Sequence, residues 1–292
     1  MEFLQYIRQK GLVTIIRYLS SPGPTATPDE RISIPSRDAE RIITVHIYRS
    51  KSSKPTPVLV NFHGSGFVLP LHGSDDFFAR YISTETDYTV IDCAYRLAPE
   101  NPHPAAINDV EDIIKWVVSQ PTEFDISKIS ISGFSAGANL ALVTSSVVFK
   151  QGTFHSVIAF YPPTDLATDP ATKVAPDTSG KPIPSWMANF FDDAYMPAGL
   201  DRKDPTVSPF YAAGEWFPDR MLFITCARDN LCHEAEALAQ KIKAVPGKDV
   251  VCMRMDGCDH GWDKHCKPDS REEEARDKAY SLAKQILQGG IN

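Results

Sequence analysis

Three side chains far apart in the sequence are of the types that carry out acyl transfer. Ser135 lies in Gly133-Phe-Ser-Ala-Gly137, a G-x-S-x-G spacing with Ile129-Ser-Ile-Ser132 before it and Ala138-Asn-Leu-Ala-Leu142 after it. That context predicts a strand, an abrupt turn and a helix. The serine would sit at the apex in a strained backbone conformation, flanked by small residues where strand and helix nearly touch. A serine alcohol becomes a useful nucleophile only when an imidazole takes its proton, and that imidazole needs a carboxylate to fix its tautomer. Asp229 follows the strand-like run Met221–Cys226, and His260 follows the next, Asp249–Met255. Groups beyond the carboxyl ends of parallel strands share one edge of a sheet. Ser135, Asp229 and His260 are therefore the expected nucleophile, orienting carboxylate and base. Other groups fit less well. His46 sits mid-strand, His103 in a proline-rich turn and His233 at a helix start, while Asp256, Asp259 and Asp263 read as solvated loop carboxylates beside His260.

A second loop could serve the same chemistry. The continuous apolar run Val58-Leu-Val-Asn-Phe62 reads as a strand buried on both faces, and it leads into His63-Gly-Ser-Gly-Phe67. Little side-chain bulk at 64 to 66 lets backbone N–H groups turn toward an anion, as the oxygen of a tetrahedral intermediate requires. His63 is expected to brace this loop rather than to react.

These residues need a scaffold, and strand and helix runs alternate from residue 58 onward. Strands are expected at 58–62, 88–93, 129–132, 156–161, 221–226 and 249–255, with helices at 105–120, 136–150, 235–245 and 271–288. The alternation predicts a mostly parallel sheet covered by helices. Two antiparallel strands, 31–34 and 42–48, come before it. Phe3, Leu4, Ile7, Leu12, Ile15, Ile16 and Leu19 have roughly helical spacing, interrupted by Gly11, and Ser20-Ser-Pro-Gly-Pro24 ends that segment. Residues 162–209 break the rhythm with a long Pro-, Asp- and Thr-rich insert carrying Trp186, Met187, Phe190, Phe191, Tyr195 and Met196. A loop of that length inside a compact domain is usually functional, so a lid with one short helix is expected. No repeat or second core divides residues 1–292.

The 292-residue chain is 42% apolar and 23% charged with a formal net charge of −7, so it offers no basic face to nucleic acid or anionic lipid. Its six cysteines form no C-x-x-C pair and read as free thiols of a reducing compartment. A zinc site from Cys258, His260 and His265 is the weaker use of those groups. The amino terminus lacks the pattern of a signal peptide, and no apolar run is long enough to span a membrane. A cytoplasmic protein is expected, without stable membrane anchoring.

Taken together, His63-Gly-Ser-Gly-Phe67, Tyr95-Arg-Leu-Ala-Pro-Glu100, Gly133-Phe-Ser-Ala-Gly137, Asp229-Asn-Leu231 and His260-Gly-Trp262 resemble the hormone-sensitive-lipase-like (bacterial family IV) carboxylesterases. Asp204-Pro-Thr-Val-Ser-Pro209 is similar to another segment of that family. The resemblance spans roughly residues 55 to 285. It implies an α/β-hydrolase fold with a cap built from about 1–28 and about 163–209. It also implies an oxyanion hole made by the N–H groups of Ser65, Gly66 and Ala136. Two positions depart from the family pattern: Ser65 replaces a glycine, and Phe134 replaces an aspartate beside the nucleophile. The expected substrate is a small-molecule carboxylic ester with a short or medium acyl chain, or an aromatic or polyketide-like one. Its pocket is expected among Phe67, Phe134, Tyr161, Trp186, Phe190 and Leu231. No metal or organic cofactor is required. A deacetylase or amidase, and a thioesterase or acyltransferase, remain alternatives with the same machinery, a non-catalytic hydrolase-fold binding protein is the lesser one, and the oligomeric state is open, a homodimer included.

Overall fold

In the computed structural model, which describes residues 2–19 and 26–290, eight strands form one sheet. They are β1 (Glu30–Pro35), β2 (Ile42–Tyr48), β3 (Thr56–Phe62), β4 (Thr89–Cys93), β5 (Phe124–Phe134), β6 (Ser156–Phe160), β7 (Arg220–Cys226) and β8 (Asp249–Met255). Their spatial order is β1-β2-β4-β3-β5-β6-β7-β8. β1, β2 and β4 pair antiparallel, and every later pairing is parallel. The chain is thus an α/β protein of the expected class.

Strand periodicity assigns each side chain to a face. Val58, Val60, Val157, Ala159, Met221 and Phe223 point to one side. There they pack on α3 (Ala105–Val118), α4 (Ala136–Val143) and α6 (Cys232–Lys243). Leu59, Ile158, Phe160, Leu222 and Ile224 point to the other, against α2 (Asp76–Glu85) and α7 (Arg271–Leu287). Both faces of the central strands are covered, which is why those strands read as unbroken apolar runs.

Three expectations are corrected. α2 has no counterpart among the expected elements, although Phe78, Ala79 and Ile82 form its buried stripe. The helix behind Ser135 ends in a widened π turn over Thr144–Val148 rather than running to residue 150. The amino-terminal helix α1 (Glu2–Leu19) continues through Gly11, and its phase differs from the expected stripe. Val13 is buried, whereas Leu12 and Ile15 face outward. The Ser20–Pro24 break lies outside the described residues.

Two segments attach above the carboxyl edge of the sheet. From α1, Arg17 donates to the carbonyls of Val68 and Ala98 and pairs with Glu100. The 163–209 insert carries α5 (Ser185–Tyr195), as expected. Asn139 on α4 holds both ends of that insert, its Nδ2 donating to Pro163 O and Val207 O at 2.9 Å each. Within the described residues, no helix is long and apolar enough to cross a membrane, and all six cysteines are free.

Candidate active site

Ser135 stands between the last residue of β5 and the first of α4, at φ 51° and ψ −120°. Its N–H donates to Phe160 O at 2.9 Å, fixing the turn to the neighbouring strand. A Cβ on Gly133 would lie 2.3 Å from the Gly137 backbone, and one on Gly137 only 2.0 Å from Phe62 O. Glycine is required there by contact, and this close approach is what holds a serine in left-handed backbone space.

Asp229 follows β7 and His260 follows β8, and the fold brings both to Ser135. His260 Nε2 is 2.9 Å from Ser135 Oγ, and His260 Nδ1 is 2.6 Å from Asp229 Oδ2. The other Asp229 oxygen accepts from Leu231 N–H at 3.0 Å. With Nδ1–H donated to the buried carboxylate, Nε2 presents its lone pair to the serine hydroxyl. The arrangement can deprotonate Ser135 and return that proton to a leaving group.

The glycine-rich loop after β3 lies alongside. His63 is buried and its Nδ1–H donates to Gly64 O at 3.0 Å, while its ring stacks on Tyr95 at 4.5 Å. Burial lowers its pKa to about 3, so it stays neutral. Tyr95 OH donates to His63 O at 2.6 Å, Ser65 Oγ donates to Tyr95 OH at 2.7 Å, and Phe67 N–H donates back to Ser65 Oγ at 2.8 Å. The serine that replaces glycine therefore ties the loop together. Positive φ at non-glycine positions is confined, among the described residues, to Glu40, Phe67, Ser135, Tyr161 and Asp269, so Ser65 adopts an ordinary conformation. Gly66 is at φ 54°, and a Cβ there would meet the Phe191 ring at 2.5 Å. No backbone carbonyl among the described residues accepts from the N–H groups of Ser65, Gly66 or Ala136.

A cavity of about 60 Å³ opens over Ser135, Gly66, Phe67 and Ala136, with Leu231 in its wall. Of the expected pocket residues, Phe67 and Leu231 line it, and four do not. Phe134 is fully buried on the α2–α7 face, stacked on Phe160 at 4.3 Å. Tyr161 lies beneath His260, edge-on at 4.7 Å, with its OH donating to Asp263 at 2.6 Å. Trp186 is 61% exposed, and Phe190 packs on the core beside Phe191. The reason is helical phase: Ala188, Phe191 and Asp192 of α5 face the cavity, and Trp186 and Phe190 fall on another side. Leu166, Lys173 and Ile183 of the insert complete much of the wall and were missed because their segment lacks regular periodicity.

Asp263 is also corrected, since it is no solvated carboxylate. It is buried, accepts from Tyr161 OH and Tyr280 OH and forms an ion pair with Lys264 Nζ, which also pairs with Asp75 Oδ1 at 2.7 Å. Burial would raise its pKa, but Lys264 and the two tyrosines outweigh that and hold it below the usual carboxylate range. Of the remaining histidines, His233 is exposed and His103 joins Thr206 and Tyr195 of the insert. Cys258, His260 and His265 do not converge as metal ligands among the described residues.

A family model described as the alpha/beta hydrolase fold matches residues 59–264. The chain belongs to this α/β-hydrolase family. The hydrolase falls in its hormone-sensitive-lipase-like branch. It is similar to the carboxylic ester hydrolase LipN of Mycobacterium tuberculosis, 28% identical over 252 residues that cover 82% of this chain and 66% of that protein. It is also similar in structure to a hyperthermophilic esterase of the archaeon Pyrobaculum calidifontis, with a TM-score of 0.77 at 27% identity over 98% of this chain and 92% of that one. The thermophilic carboxylesterase EstE1 from a metagenomic library gives 0.77 at 26% identity, covering 99% of this chain and 98% of its own. The hydrolase is an enzyme of the carboxylesterase type.

Proposed function

We propose that the hydrolase cleaves small carboxylic esters through a Ser135–His260–Asp229 triad and an acyl-enzyme. Ser135 Oγ attacks the acyl carbon while its proton passes to His260 Nε2. Asp229 keeps the ring oriented and stabilises the imidazolium. The N–H groups of Ser65, Gly66 and Ala136 receive the oxyanion, an interaction worth on the order of 10²–10³ in rate per donor. His260 then protonates the departing alcohol, and water repeats the sequence to release the acid. The observation that carries the reading is His260, held at hydrogen-bond distance from Ser135 on one nitrogen and from Asp229 on the other.

The cavity supports a short acyl group. Its volume of about 60 Å³ takes only a few waters, at roughly 10–15 Å³ apiece. In this reading α1 and residues 163–209 form the cap, supported by the Arg17 contacts and by the insert residues in the cavity wall. The free thiols support a reducing, cytoplasmic setting.

The test is hydrolysis of p-nitrophenyl acetate, butyrate, octanoate and laurate by the wild type and Ser135→Ala. Acetate and butyrate should be preferred, and the variant should lose about 10⁴-fold or more in kcat. Equal rates in the two proteins would overturn the assignment of the nucleophile. Silence in both folded proteins would point to a dedicated acyl transferase.

A further inference from the structure

Behind the oxyanion loop, on the α2–α7 face, three groups with metal-binding atoms converge and take no part in the reaction above. His46 on β2 and Asp92 on β4 are direct cross-strand partners. His72, in the loop before α2, covers both. Its ring stacks on His46 at 4.1 Å, and its Nε2 is 3.4 Å from Asp92 Oδ2. One ligand atom from each of the three lies within 4.8 Å of the other two.

The polar satisfaction of this cluster is incomplete in a telling way. His46 is 8% exposed and Asp92 is fully buried, yet His46 Nδ1 and Asp92 Oδ2 have no hydrogen-bond partner. Buried polar atoms are nearly always paired, so two unpaired atoms on cross-strand partners call for an occupant. The other Asp92 oxygen accepts from Asn61 Nδ2 at 2.9 Å, which orients the carboxylate and leaves Oδ2 facing His72 without a hydrogen bond. Asn61 also bonds Asp75, so this interior holds the carboxylates of Asp75, Asp92 and Asp263 around the Lys264 ammonium.

We propose that His46, His72 and Asp92 bind one divalent transition ion, of which zinc is the natural test case, and that this site braces the loop behind the oxyanion hole. Two imidazoles and a carboxylate suit zinc with a water in the fourth position. Side-chain exposure of 17% at His72 gives the ion a path from solvent. Zn–N and Zn–O distances of about 2.1 Å imply ligand separations of about 3.4 Å. The His72–Asp92 edge already has that length, and the wider edges close by turning the His46 ring off its stack. If His72 ligates through Nε2, its 3.1 Å contact with Asp92 O is exchanged for the metal bond. The link to the active site is short, since His72 lies 5.9 Å from the His63 ring.

The experiment uses the full chain, stripped with a chelator and titrated with Zn²⁺ against a chromogenic competitor, with Co²⁺ as spectroscopic probe. One equivalent should bind, with Kd at or below about 1 μM, raising Tm by ligand linkage. His46→Gln, His72→Asn and Asp92→Asn should each weaken binding by about 100-fold or more. They should also abolish the absorption of four-coordinate Co²⁺. His265→Asn should bind as wild type does. Failure of the wild type to bind, or tight binding retained in His72→Asn, overturns the proposal. His72 is the least buried of the three, so its variant keeps the test available should the core variants not fold. Turnover of p-nitrophenyl acetate by the apo form separates this outcome from failure of the esterase reading.

Discussion

His63 and Asp192 carry the clearest electrostatic consequences. His63 is neutral when folded because its pKa falls to about 3, whereas the unfolded chain protonates it near the ordinary value of about 6.5. The unfolded state therefore binds the extra proton as the pH drops, and stability is lost from about pH 6.5 downward. At pH 5 the loss from this group is about 2 kcal/mol relative to pH 7. Urea unfolding at the two pH values should show that difference shrinking in His63→Gln, and an unchanged difference would remove His63 as its source. Asp192 faces the cavity, and burial pushes its pKa up to about 7 against the pull of Lys173 and Arg202. Ionising it places a charge in a mostly apolar pocket. KM for p-nitrophenyl butyrate should therefore rise above pH 7. Asp192→Asn should flatten the KM profile, and a wild-type profile in the variant would count against this role.

At the scale of elements, two junctions decide the site. The first is the crossing of α4 over β3 and β5. Gly137→Ala puts a methyl 2.0 Å from Phe62 O, with backbone on both sides and nothing to yield. We expect a loss of more than about 4 kcal/mol, or no folded protein, measured by thermal unfolding. The second is the attachment of the insert, where Asn139 holds two carbonyls that would otherwise lack a donor. Asn139→Ala should cost about 2–3 kcal/mol. It should also expose residues 163–209 to limited proteolysis before the sheet is cut, while Ser135 still reacts with a fluorophosphonate. Uniform cleavage across the chain would show that Asn139 supports the body rather than the insert.

Across the whole molecule, a polar chain runs under the sheet from Asp92 and Asn61 through Asp75, Lys264 and Asp263 to Tyr161, whose ring supports His260. Lys264 is its hinge, with two carboxylates on its ammonium and the Phe134 ring beneath at 3.3 Å. Removing one member of a buried ionic group leaves uncompensated charge. Lys264→Met should destabilise the protein by about 3–5 kcal/mol in urea titrations. A neutral result would mean that the carboxylates protonate at little cost.

Local physics made much of this protein legible before folding was considered. Strand runs and the glycine spacing around Ser135 are properties of neighbouring residues, and the order Ser135, Asp229, His260 is read along the chain; together they sufficed for the fold class and for the three groups the structure brings together. Everything that depends on which way a side chain points through space was decided only by the tertiary structure. Phe191 and Asp192 rather than Trp186 and Phe190 reached the cavity because a helix turns about 100° per residue and the insert docks at one phase. Asp263 and Lys264 became interior groups because the loop after His260 folds under the sheet. His46, His72 and Asp92 share no motif, since their meeting depends on antiparallel register between β2 and β4 and on a loop laid across both.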